Sequence, residues 1–141
     1  MTFTGINIVG LIVATVVSFI SGGIWFGPKT FYPVWMKLRG TSPDKLQNNH
    51  GAGILFGSTL LGVAIQTLTL GLVINSLQHY GAHIGALSGA GIGFALGVGI
   101  SMFASLSHRL FSGDGFKLWL IETANDAINL TIAGAIIAAF N

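Results

Sequence analysis

Apolar positions along this chain fall into four runs, at about 6–26, 53–77, 84–106 and 116–140, separated by one long and two short polar connections. Each run is about 20 residues or longer, enough for a helix to cross a hydrocarbon core of about 30 Å. The third run carries a second pattern: small residues recur every fourth position, at Gly85, Gly89, Gly93, Gly97, Ser101 and Ser105, and Gly91 and Gly99 thin the helix beside that line. On a helix this spacing makes one nearly continuous, slightly spiralled groove. In water each glycine would cost up to about 1 kcal/mol relative to alanine. In a bilayer the backbone has no other hydrogen-bonding partner, so the helix forms anyway. The bare groove then admits another helix at close range, in the manner of a glycine zipper.

The other runs carry shorter small-residue lines, at Gly10, Ala14, Ser18 and Gly22 in the first and Thr123, Ala127, Thr131, Ala135 and Ala139 in the fourth; the second has Gly53, Gly57 and Gly62 in its first half. The first run ends in Trp25-Phe26-Gly27-Pro28, where proline stops the helix. In the connection that follows, Phe31, Trp35 and Leu38 lie at i, i+4 and i+7, with Lys37 and Arg39 on other faces. That pattern predicts a short helix, starting near Pro33, that lies in the membrane surface. Thr41-Ser42-Pro43-Asp44 predicts a further helix start leading toward His50. The short turn 78–83 makes the second and third spans antiparallel neighbours, and Gly113-Asp114-Gly115 predicts a tight turn before the fourth. The expected fold is all-α: a four-span antiparallel transmembrane bundle with a glycine-rich third helix, forming a single integral membrane domain over 1–141.

Composition agrees. The 141 residues are 52% apolar and only 7% charged, against about 25% charged in soluble domains. A net charge of +2 built from ten charged groups gives no basis for nucleic-acid binding. With no cysteine there are no disulfides, thiolate metal sites or thiol chemistry. No Lys or Arg precedes Lys29, so the first run lacks the basic leader of a signal peptide and is expected to be a retained span. Lys29, Lys37, Arg39 and Lys45 occupy the first connection, and Arg109 and Lys117 flank the third. By the positive-inside rule, connections 27–52 and 107–115 face the cytoplasm and both termini lie outside, in the cytoplasmic membrane. Trp25, Trp35 and Trp119 then fall at the inner boundary, as interfacial anchors.

Candidate chemistry concentrates on the fourth span. Glu122 and Asp126 lie about two and three turns into it, on one face with Asn125 and Asn129. An ionisable group at such depth costs about 2.5–3.5 kcal/mol, so it is paired, hydrated or functional. The turn near Asp114 brings Arg109 and His108 within reach of Glu122. On one reading those residues pair with Glu122 while serines and asparagines solvate Asp126, locking the last two spans together. On the other, the Glu122–Asp126 face lines a hydrated cavity that binds a cation or exchanges protons. Gln66, near the middle of its span, is an interhelical hydrogen-bonding residue or part of the same pathway. His79 and His83 stand four apart at the outer turn without a third metal ligand nearby. No metal or cofactor is expected, since no phosphate-cradling loop or metal-ligand set is present.

Two blocks resemble a known family. Gly23-Ile24-Trp25-Phe26-Gly27-Pro28 followed by Trp35-Met36-Lys37, and Lys117-Leu118-Trp119-Leu120-Ile121-Glu122-Thr123-Ala124-Asn125-Asp126 with Gly134-Ala135-Ile136, resemble the bacterial and fungal membrane family called domain of unknown function 1761. The resemblance implies a four-span fold and no assigned activity. The fourth-span acid of that family is usually aspartate, and Glu122 stands nearest its place here.

Three function classes follow. The first is a small oligomeric channel or transporter for an ion or small solute, most simply a homodimer with a glycine groove at an intersubunit or central contact. The second is a membrane scaffold with a structural acid cluster. The third, a lipid-directed enzyme, requires His108 and Glu122 to converge on a cavity open to lipid. The orientation is directly testable: in sealed right-side-out cells, Lys37→Cys should resist an impermeant thiol reagent and His83→Cys should react. The reverse pattern would invert the topology.

Overall fold

The computed structural model describes residues 3–42 and 51–141, and four of its helices are long and apolar enough to cross a membrane. The first, α1, is Ile8–Trp25; a short α2, Tyr32–Arg39, follows it; and α3 is Ala52–His79. The third span is Ala86–Phe111, made of α4 (Ala86–Leu96), a π-helical segment Gly97–Met102 and α5 (Phe103–Phe111). The last span is α6, Phe116–Phe140. The expected helix start at Pro43-Asp44, Lys45 and the run into His50 lie outside the described residues.

The chain is organised around α6 rather than the third span. Half of its apolar window is buried, against 17% for α1 and for the third span. The glycines of the third span serve α6. Gly89 and Gly93 face Gly134, Ala138, Leu130 and Thr131 so closely that a Cβ on either would collide with the Gly134 or Leu130 carbonyl. A Cβ on Gly97 would stand 2.8 Å from the Ala127 Cα. The partners descend α6 as the glycines ascend α4, so the helices run in opposite directions. The groove, expected at an intersubunit or central contact, is filled by α6 of the same chain at Gly89, Gly93 and Gly97. Gly85, Gly91 and Gly99 meet nothing within 4 Å.

A four-residue repeat drifts by about 40° per step around an α-helix, so the line cannot follow a straight partner indefinitely. At Gly97 the helix changes to i→i+5 bonding, whose wider turn rotates less per residue and opposes that drift. The change coincides with a change of partner. Beyond it α6 presents Trp119, whose indole N–H donates to the Met102 carbonyl and the Ser105 hydroxyl, each at 3.2 Å. Ser105 is thus half-buried beside an indole instead of continuing the glycine contact, and Ser101 is also half-buried.

Helix α1 is tied to α6 along its length. Asn7 caps α1 by accepting from the Gly10 N–H and donates to the Phe140 carbonyl at 2.8 Å. Ser18 donates to the Asn129 carbonyl at 3.2 Å, and Trp25 to the Ile121 carbonyl at 3.0 Å. Gly10, Ala14 and Ser18 of the expected small line are the buried positions of α1. In α6 the expected line drifts off the contact, leaving Ala139 exposed, and the buried stripe runs through Ala127, Leu130, Ala133, Gly134, Ile137 and Ala138.

Helix α3 is buried only in its second half. Thr67, Leu70, Gly71, Ile74 and Asn75 pack on α1 and α6, and Leu70 and Ile74 join the Ala14–Leu130–Ile137 core. Its first half, from Ala52 to Leu61, is exposed, and among the described residues a Cβ on Gly53, Gly57 or Gly62 would meet nothing within 4 Å. The short turn after His79, with Gly81 at φ +92°, joins α3 to α4, yet the two helices share little surface. Outward-facing Leu87, Phe94, Ile100 and Phe103 leave the third span a wide apolar surface, as a membrane protein requires.

Gly93→Ala should destabilise the fold by about 1–3 kcal/mol, the usual range for overpacking a tight contact. Gly91→Ala should be neutral or slightly stabilising. Unfolding of the two variants in detergent checks the contrast, and equal effects would remove the glycine contact from its central place.

Candidate functional site

Glu122 sits where three helices converge near the cation-rich end of the bundle. Its depth on α6 is fixed by the turn at Gly113 (φ +84°) and by Trp119, which is only 2% exposed and anchors the start of α6 against α5. From α2, the Trp35 indole N–H donates to Glu122 Oε1 at 2.9 Å, and Arg39 Nη1 approaches the same oxygen at 3.5 Å. From α5, Arg109 Nη2 lies 2.8 Å from Oε2, an ion pair without hydrogen-bond alignment. Arg109 Nη1 also pairs with Asp114 Oδ2 at 3.3 Å, so one guanidinium spans the turn and the helix. The Glu122 side chain is 15% exposed, whereas the two arginines are each more than a third exposed.

The pairing of Glu122 with Arg109 expected from the sequence is present. His108 does not join it: it is exposed and forms no ion pair with Glu122. Trp35 and Arg39 were not foreseen as partners. The signal for them was their i, i+4 spacing, which puts both on the face of α2 that meets α6, while Leu38 remains exposed. Thus α2 docks on the bundle through Trp35 and the buried Met36. All three tryptophans point their indole N–H groups at protein acceptors. Trp119, at 2% exposure, is packed in the core at the start of α6.

Asp126 lies one turn further into the span. It is half-buried and has no hydrogen bond or ion pair among the described residues. The asparagines turn toward α1 instead of solvating it. Asn129 donates to Asn125 Oδ1 at 3.3 Å beside Gly22, and Asn129 Oδ1 is buried without a partner. Gln66 is exposed on α3 and bridges to no other helix. At the opposite end of the bundle, an open cavity of about 610 Å³ is lined by Asn75, Gln78, His79, His83 and Asn141 among others. The two histidines share it, but no third acid, cysteine or histidine joins them among the described residues.

Glu122→Gln should cost about 1–2 kcal/mol, between an exposed and a fully buried ion pair, because two arginines lose their shared anion. Arg109→Gln should cost a similar amount, and the double variant less than the sum. Unfolding of all three checks this, and strict additivity would break the proposed pairing.

No curated protein and no solved structure matches this chain. The family described as Protein of unknown function (DUF1761) matches residues 9–138, which include every residue of the site. The match covers nearly the whole length, and the chain belongs to that family.

Proposed function

We propose that the chain conducts a proton or small cation through the membrane, with Asp126 as the binding carboxylate and Glu122 as a fixed structural tie. The observation that supports this is the contrast between two acids one turn apart. Glu122 is held by Trp35, Arg39 and Arg109, while Asp126 has no partner among the described residues. An unpaired carboxylate within a span is costly, and such residues mark ion or proton pathways. The proposed orientation keeps the cation-rich end in the cytoplasm.

A scaffold role is the second reading, favoured by the Glu122 tie itself, which locks α2, α5 and α6 together without any moving charge. Flux into proteoliposomes, followed with a pH-sensitive dye and with labelled alkali cations, separates the two. Under conduction, Asp126→Asn should lower flux at least about tenfold, while Glu122→Gln should lose stability but keep measurable flux. Unchanged flux in Asp126→Asn would overturn conduction through this carboxylate, and a stoichiometric native partner would then support the scaffold.

A further inference from the structure

Beside the Glu122 tie, and not explained by it, is a cavity of about 190 Å³ lined by Phe26, Tyr32, Trp35 and Glu122. Phe26 meets Trp35 edge-on, with ring centroids 6.2 Å apart and planes at 73°, and Tyr32 stacks near Trp35 at 6.0 Å and 17°. The walls are held in place from behind. Phe31 stacks on Trp25 at 4.3 Å, and the Phe31 N–H donates to the Trp25 carbonyl at 3.1 Å, so the turn delivering Tyr32 is fixed to the end of α1. Trp35 is fixed by its bond to Glu122.

Three aromatic rings with a carboxylate beside them suit a cation. The kind of cation follows from what the walls lack. Glu122 Oε1 already accepts from Trp35, and Oε2, which accepts no hydrogen bond, is buried against Arg109 and closed to the cavity. The carboxylate therefore supplies negative charge but little acceptor surface that a ligand can reach. A primary ammonium would lose its water without regaining hydrogen bonds. A quaternary ammonium has no N–H to satisfy and presents methyl groups to ring faces. The Trp35 ring and Glu122 already share a cation from the chain itself: Arg39 Cζ stands 5.2 Å from the Trp35 ring centroid, and Arg39 reaches Glu122 only at 3.5 Å with 37% of its side chain exposed. Such a loosely held guanidinium is displaceable.

We propose that the cavity walled by Phe26, Tyr32 and Trp35 over Glu122 binds a quaternary ammonium group, and that Arg39 is the internal cation this ligand displaces. The site is separate from Asp126 and does not depend on conduction. The same chemistry is presented by a free quaternary amine and by a choline lipid headgroup.

The test is calorimetric titration of the purified full chain with tetramethylammonium, in nanodiscs of phosphatidylglycerol and, separately, of phosphatidylcholine. Saturable binding in phosphatidylglycerol discs is expected, with ammonium at least about tenfold weaker. Equal binding in phosphatidylcholine discs assigns the site to free amines, and weakened binding there assigns it to the lipid headgroup. Tyr32→Leu should weaken binding about tenfold, and Tyr32→Phe, which keeps the ring, should change it little. Arg39→Gln should tighten binding several-fold, a gain that loss of folding does not produce. The proposal is overturned if neither the native chain nor Arg39→Gln binds tetramethylammonium saturably in phosphatidylglycerol discs, if ammonium binds equally well, or if Arg39→Gln weakens binding.

Discussion

The backbone-to-backbone contact of Gly89 and Gly93 with Gly134 and Leu130 is the constraint on which the rest of this molecule rests. Lipid tails are as apolar as leucine side chains, so helices in a bilayer gain little by hiding apolar surface from one another. What holds them is close van der Waals approach, and only residues without side chains allow it here. The contact sets the height of α6 against the third span. That height in turn places Trp119 beside Met102, and Glu122 within 2.8 Å of an arginine guanidinium. The polar site is thus a consequence of the glycine seam.

The same dependence explains what was legible in the sequence. The four spans could be read because length and hydropathy follow from bilayer thickness alone. The pairing of Glu122 with Arg109 could be read because a tight turn ties their heights together over a few residues. The partner of the glycine groove could not: a bare face states that something approaches closely, not which helix does. Nor could the roles of the tryptophans, since an indole near a helix end suits the lipid interface and the protein interior equally. Trp119 went inward because two acceptors, Met102 and Ser105, wait there. Trp35 and Arg39 became partners of Glu122 only through the docking of α2: their i, i+4 spacing puts them on one face but does not say which helix that face meets. The π-helical segment at Gly97–Met102 left no local signature, because it answers to a mismatch between a four-residue repeat and a 3.6-residue turn.

The distribution of charge along α6 divides it into two regimes. Near its start, cationic and aromatic groups from α2 and α5 surround Glu122, so that carboxylate belongs to the architecture. One turn on, Asp126 stands without such donors among the described residues. The asparagines on either side of it, Asn125 and Asn129, face α1 through the space left by Gly22. A tied and an untied carboxylate therefore occupy neighbouring turns of one helix, and residue type does not tell them apart.

Helix α3 carries the same contrast along its length. At Gly71 an added methyl group would meet Leu11, whereas at Gly57 it would meet nothing. One continuous helix is therefore under two kinds of selection. Around Gly71, replacements must match the shape of a neighbour and will be rejected for a single carbon too many. Around Gly57, solubility in hydrocarbon is the main demand, and changes among small and large apolar residues can accumulate freely without disturbing the fold.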